Sequence, residues 1–359
     1  MNLKDEYSTK FITELATQLK SIGTNFNHLS FSDSILNKDW KNKELKERMR
    51  WVTENLHSHL PFSYQKQIEC LSKIAPKFKG LTAIIFPDFV QVYGLDDLST
   101  SLKALELFTK HSTSEFAIRP FIIKHPKKTM QQLLVWSKND NEHLRRLASE
   151  GTRPKLPWAP ILSDFVNDPS PNLPILENLK NDTSLYVRKS VANHINDISK
   201  NQPKLVLDLT KKWHGKTKNT DWIVKHALRT LLKKGDKKAL AIFGLDDSSN
   251  ISIKQLKLSK NTINIGDFIY FEFETINASN TKRNLRIEYS IDYVKANGKT
   301  SAKVFQISEF TLAANSKKAF KRKQSFKELT TRKHYSGAHQ INIIVNGDIK
   351  ESIQLELNN

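Results

Sequence analysis

Near Phe243–Asn250 the apolar residues change their period, and that change decides what this 359-residue chain can be. Before it they recur at helical spacing. Phe11, Leu15 and Leu19 share one face, Leu102, Leu105 and Leu107-Phe108 another, and Met130, Leu133, Leu134 and Trp136 a third. After it, β-branched and aromatic residues alternate in short runs. All six tryptophans lie in the first part. The run Gly244-Leu245-Asp246-Asp247-Ser248-Ser249-Asn250 is rich in turn-forming residues, which places a boundary there. The expected organisation is a helical domain over residues 1–248 and a β domain over 249–359.

A repeat runs through the middle of the helical part. Asn139-Asp140-Asn141-Glu142 precedes Leu144-Arg145, Asp182-Thr183-Ser184 precedes Val187-Arg188, and Asn219-Thr220-Asp221 precedes Val224-Lys225. Each is a run of helix-capping residues followed by an aliphatic–basic pair. The offsets of 43 and 37 residues suit HEAT-like helix pairs. Lys127–Trp136, Leu173–Leu179 and Pro203–Trp213 are the expected partner helices. Such pairs bury their apolar faces only against neighbours and stack into a right-handed α-solenoid with a concave groove. An ordinary helical bundle is the alternative.

Seven segments of the last part read as strands: 253–258, 268–275, 285–293, 303–310, 319–325, 339–345 and 349–357. Ile265-Gly266-Asp267, Asn297-Gly298 and Asn346-Gly347-Asp348 supply turns between several of them. Seven or eight short strands in about 110 residues point to an immunoglobulin-like β-sandwich.

Charge narrows the function. The chain carries 57 Lys and Arg against 37 Asp and Glu, a net charge of +20. Residues 249–359 hold 18 basic and 10 acidic side chains, and the first 248 hold 39 and 27, so both parts are basic. A polyanion partner follows, with nucleic acid foremost. The longest run without a charged residue is the 14 residues 334–347, too short for a membrane span. The first residues lack the apolar stretch of a secretory signal, and Cys70 is the single cysteine; a reducing cytoplasm is expected, without disulfides or cysteine-based zinc sites.

No HExxH, GxSxG or GxGxxG occurs. Gly-Lys-Thr appears at 215–217 and 298–300, but Thr210 and Tyr293 stand where a phosphate-binding loop needs its first glycine. The eleven histidines show no metal-ligand spacing, so no metal and no cofactor are expected. The densest segment is Arg145-Arg146-Leu147-Ala148-Ser149-Glu150-Gly151-Thr152-Arg153-Pro154-Lys155-Leu156-Pro157-Trp158. Glu150 could simply pair with Arg146 one helical turn away, and Trp158 could anchor packing between repeats. Gly151 and Pro154 end the helix, however, which should present Glu150 and Trp158 at its terminus, where polar and aromatic groups tend to be functional.

That string, together with Asp182-Thr183-Ser184-Leu185-Tyr186-Val187-Arg188-Lys189-Ser190-Val191-Ala192-Asn193-His194-Ile195-Asn196-Asp197-Ile198-Ser199-Lys200, resembles the AlkC branch of the HEAT-like-repeat DNA alkylation repair glycosylases. The branch carries an immunoglobulin-like domain after its repeats, so the resemblance spans the chain. It implies base excision repair of N-alkylated bases, chiefly 3-methyladenine and 3-methylcytosine, without flipping the base into a pocket. The implied catalytic positions are Glu115, Glu150, Trp158 and Asp197. Ser112-Thr113-Ser114-Glu115 also reads as a capping box. Asp197 follows Arg188 by nine residues, half a turn off on a straight helix; either that helix ends near His194, or Lys189 shares the face of Asp197.

Phosphate contacts are expected from Arg145, Arg146, Arg153, Lys155 and Lys189, and from Lys317, Lys318, Lys321, Arg322 and Lys323. The last five read equally as the solvated edge of a sheet. The sequence reading is therefore a cytoplasmic, nucleoid-associated bacterial DNA glycosylase. It is expected to act as a monomer on double-stranded DNA containing alkylated bases, with the β-sandwich completing a DNA clamp and no obligate protein partner. The alternatives are a non-catalytic HEAT-like protein that binds DNA by shape and charge, and a protein-binding solenoid.

Overall fold

In the computed structural model, residues 2–22, 26–245, 247–329 and 332–359 are described. The chain divides into two compact units, Met1–Ala227 and Leu228–Asn359. The division falls ahead of the boundary read from composition, because two short helices beyond Ala227 pack with the sheets.

The first unit is helical. Its helices are α1 (Thr9–Ser21), α2 (His28–Ile35), α3 (Leu45–His59), α4 (Tyr64–Ile74), α5 (Ile85–Tyr93), α6 (Leu98–Phe108), α7 (Ile118–Lys124) and α8 (Pro126–Trp136). They continue as α9 (Glu142–Gly151), α10 (Ser163–Asn167), α11 (Leu173–Leu179), α12 (Leu185–Ser199), α13 (Pro203–Trp213) and α14 (Lys218–Ala227). Local chemistry explains their ends. Ser8 caps α1 by accepting from the Phe11 amide, and Ile12, Leu15, Ala16 and Leu19 then recur at helical spacing to form its buried face. Pro126 and Pro203 head α8 and α13, where a missing amide N–H costs nothing.

The repeat is written in side-chain bonds as well as in spacing. At the end of α8 the Trp136 indole donates to Glu106 of α6 at 3.0 Å; at the end of α13, Trp213 donates to Glu177 of α11 at 2.9 Å. Arg145 of α9 turns back onto the carbonyls of Asn139 and Asp140, and Arg188 of α12 does the same to Asp182 and Thr183. α12 packs between α9 and α14. The third capping run is corrected: Asn219-Thr220-Asp221 lies inside α14, and Thr217 ahead of it takes the capping role, accepting from the Thr220 amide at 3.1 Å.

The second unit opens with α15 (Arg229–Lys233) and α16 (Lys237–Ile242). Eight strands follow among the described residues: β1 (Ile251–Leu258), β2 (Thr262–Asn264), β3 (Phe268–Asn277), β4 (Arg283–Val294), β5 (Thr300–Leu312), β6 (Ser316–Ser325), β7 (Gly337–Val345) and β8 (Asp348–Asn358). They form a three-stranded sheet in the order β1-β3-β6 and a five-stranded sheet in the order β2-β8-β7-β4-β5. Phe271 and Phe273 of β3 meet Ile287, Ile291, Ile341 and Ile343 in the shared core. The architecture is thus a helical-repeat region followed by an immunoglobulin-like sandwich. β2 has no counterpart in the sequence reading; its three residues pair in parallel with Glu356–Asn358, too short a run to show alternation.

Asn346 and Gly347 form the two-residue turn between β7 and β8, both with positive φ (50° and 83°), as the right-handed strand twist demands. Gly347 also meets Gly235, the residue between α15 and α16: a Cβ on Gly347 would stand 2.9 Å from Gly235 Cα. Gly347→Ala should therefore destabilise the second unit by about 1–3 kcal/mol, read as a lower midpoint in urea unfolding followed by circular dichroism. An unchanged midpoint would contradict the close approach.

Candidate active site

α9 stops at Gly151, and Pro154 three residues on has no N–H with which to extend it. The close passage of α7 also requires that glycine, since a Cβ there would lie 2.5 Å from Ile118 Cγ2. Just beyond the helix, Arg153 turns in toward α12 and is only 7% exposed. Its Nη1 donates to Glu150 Oε1 at 2.6 Å, and its Nε donates to Asp197 Oδ2 at 2.9 Å. One guanidinium thus bridges two buried carboxylates on neighbouring helices, Glu150 at 5% and Asp197 at 3% exposure.

The remaining oxygens are satisfied too. Ser190 of α12 donates to Glu150 Oε2 at 2.5 Å, and Lys200 donates to Asp197 Oδ1 at 2.9 Å. Arg146 binds Glu115 through Nη1, lies 3.8 Å from Glu150 through Nη2, and places its guanidinium 4.8 Å over the Tyr186 ring. Thr113 donates to Glu115 Oε2 at 2.7 Å. Burial alone would lower the Arg153 guanidinium, but Glu150 and Asp197 outweigh it and hold it above the ordinary arginine value. Arg146 is raised in the same way, burial opposing and Glu115 leading the carboxylates that prevail.

Trp158 is the exception to this burial. It is 63% exposed, and its backbone is left-handed at φ 66°, a conformation that costs a non-glycine residue about 1–3 kcal/mol. Lys46 of α3 donates to its carbonyl. Beside it opens a cavity of about 550 Å3, lined chiefly by apolar groups that include Leu45, Trp51, Phe116 and Ala159.

The structure brings Glu115, Glu150 and Asp197 into one charged network, with Trp158 on the loop that follows Arg153. It corrects several local expectations. Glu150 is not presented outward, and its nearer partner is Arg153 rather than Arg146. Glu115 closes no capping box: its carboxylate goes to Thr113 and Arg146, and α7 starts only at Ile118. α12 runs past His194 to Ser199, carrying Asp197 inward while Arg188 folds onto its own loop and Lys189 is exposed.

Among the expected phosphate-binding side chains, Arg145 is held by Asp182 at 2.7 Å, and Arg146 and Arg153 are held as above. Lys155 reaches Asn201 at 2.6 Å. Lys317, Lys318, Lys321, Arg322 and Lys323 lie on edge strand β6, not in a loop; Lys317 pairs with Glu274, Lys318 stands over Phe310, Lys321 over Tyr270 and Lys323 over Phe268, and Arg322 donates to the Ile307 carbonyl. Sequence reasoning missed Ser190 and Lys46, whose roles depend on contacts across 40 residues or more and carry no local signature, and it gave Thr113 no role of its own at Glu115. Among the described residues, no group of three or more His, Cys, Asp or Glu is placed to hold a metal ion. No helix among them is long and apolar enough to cross a membrane.

His194 lies behind the network, fully buried, with Nδ1 donating to the Ser149 carbonyl and Nε2 without a partner. Burial, reinforced by Arg153, depresses it from 6.5 to about 3, so it is neutral. Its contribution to stability is complete above about pH 6.5 and is lost as pH falls toward 3, because only the unfolded chain takes up the proton. His194→Gln should make the acid-side loss of stability shallower by up to about 1.4 kcal/mol per pH unit, measured by urea unfolding between about pH 4 and 7. Equal slopes in both proteins would refute a buried neutral imidazole.

Comparison with known proteins adds identity to this geometry. Residues 111–231 match the family described as DNA alkylation repair enzyme, and residues 252–359 match the C-terminal Ig-like domain of the uncharacterised protein YhaZ. The chain is 48% identical over 356 residues to the uncharacterized protein YhaZ of Bacillus subtilis (strain 168), covering 99% of each. Among solved structures it is similar to the Pseudomonas fluorescens alkylpurine DNA glycosylase AlkC bound to DNA containing an abasic site analog. That likeness has a TM-score of 0.96 and 37% identity and covers 100% of both chains.

Proposed function

The chain belongs to the AlkC-type DNA alkylation repair glycosylases, and from that premise we propose that it hydrolyses the N-glycosidic bond of cationic alkylated bases, 3-methyladenine and 3-methylcytosine, in double-stranded DNA without flipping them. One observation carries the reading: three buried carboxylates held by arginines, with an exposed tryptophan of left-handed backbone on the loop that follows Arg153.

The chemistry suits those groups. Alkylation at a ring nitrogen makes the base cationic and already a good leaving group, so little general-acid help is needed. What remains is to stabilise the oxocarbenium-like sugar and to orient a water, which preorganised negative charge does. Asp197 is the carboxylate best placed to act. Its Oδ2 is fixed by Arg153, while its Oδ1 partner Lys200 is 42% exposed and can turn to a phosphate when DNA arrives. Glu150 orients Arg153 and adds to the same negative field, and Glu115 anchors Arg146 at its flank. Trp158 offers its face to the cationic nucleotide, a contact worth about 0.5–2 kcal/mol. Lys155, Lys189 and the β6 cations supply phosphate contacts that set position without reading sequence. The protein acts as a monomer at the DNA of a bacterial cytoplasm.

Single-turnover release of 3-methyladenine from a duplex, run beside an anisotropy titration, tests the reading. Asp197→Asn should slow release by about 10²–10³ while binding undamaged DNA as well as wild type. Glu150→Gln should also slow release, and Trp158→Ala should lose less. Release at the wild-type rate by Asp197→Asn would remove it from the site. DNA binding with no release by any protein, wild type included, would favour a binder of DNA shape instead.

A further inference from the structure

Arg119, the second residue of α7, is 2% exposed and among the described residues makes no ion pair. A buried guanidinium without a carboxylate is costly, and burial, followed by repulsion from Arg153, pulls it down to about 10. Its hydrogen bonds all go to backbone carbonyls of one segment. Nη1 donates to Gly151 at 3.0 Å and Arg153 at 2.8 Å, and Nη2 donates to Pro160 at 2.6 Å, leaving Nε without a partner. These three carbonyls stand at the two ends of the stretch that carries Arg153 and Trp158.

That stretch has few backbone donors of its own. Pro154, Pro157 and Pro160 contribute no N–H, and the segment's internal bonds include Ala159 N to Leu156 O at 3.3 Å and Leu162 N to Pro154 O at 3.0 Å. It must nevertheless keep Trp158 in a strained backbone and Arg153 between two carboxylates. The close passage of Gly151 over Ile118 brings the segment to the arginine that follows Ile118 in sequence.

We propose that Arg119 is a positioning residue for base excision, a guanidinium clamp that fixes the two ends of the 151–160 segment and thereby the placement of Arg153 and Trp158; the proposal rests on the glycosylase reading above. Arg119→Lys keeps the charge, but its single nitrogen cannot span three carbonyls. It should lower the maximal single-turnover rate by about 10- to 100-fold and leave the half-saturating protein concentration within about twofold. Hydrogen exchange should speed up across residues 151–162 while α9 and α12 keep their protection. In Arg119→Ala, guanidinium should restore part of the rate where equal sodium chloride does not. A wild-type rate in Arg119→Lys, or a lowered rate with unchanged exchange in 151–162, overturns the clamp. A wild-type protein that releases no base overturns the glycosylase reading and the positioning role with it.

Discussion

Arg153 joins Glu150 and Asp197 across the packing of α9 against α12, and the arrangement around it follows from that bridge. Two buried carboxylates and the buried guanidinium between them would each be expensive alone; removing one partner of such a group typically costs about 3–5 kcal/mol because the other charge is left unpaired. Pairing makes the group tolerable only in one geometry. Ser190 completes Glu150 and Lys200 completes Asp197, so few donors remain to be supplied. A cluster satisfied in this way is preorganised: its charges hold their places without rearrangement, as the proposed stabilisation of a cationic sugar requires. The same low-dielectric setting explains the neutral His194 behind it.

The helical unit and the sandwich solve different problems. α12 can hold Asp197 in place because it packs between α9 and α14, each repeat burying what its neighbour exposes. The sandwich instead builds one closed core from two sheets and leaves β6 as an edge dense in lysine. Lysines over aromatic rings on that edge keep other strands from pairing with it.

Much of this was legible in the sequence. Leu173–Leu179 and Pro203–Trp213 begin and end where their flanking prolines, turns and apolar spacing place them, and seven of the strands follow from alternation. The resemblance carried by 145–158 and 182–200 singled out Glu150, Trp158 and Asp197, which the fold gathers around Arg153 and the loop after it. What was not legible is orientation. Periodicity along one helix put Asp197 opposite Arg188, yet it could not reveal that Asp197 faces α9 and not water. The strained exposure of Trp158 and the carbonyl bonds of Arg119 depend on tertiary contacts between distant segments, for which a linear pattern has no counterpart.

The proposed activity of this constellation is the breaking of glycosidic bonds to cationic bases. Incubating the purified chain with methylated genomic duplex DNA and identifying freed bases by mass spectrometry tests it most directly. Free 3-methyladenine and 3-methylcytosine are expected well above a protein-free control, with no uracil freed from uracil-containing DNA. Free bases no more abundant than in that control, or robust release of uracil, would contradict it.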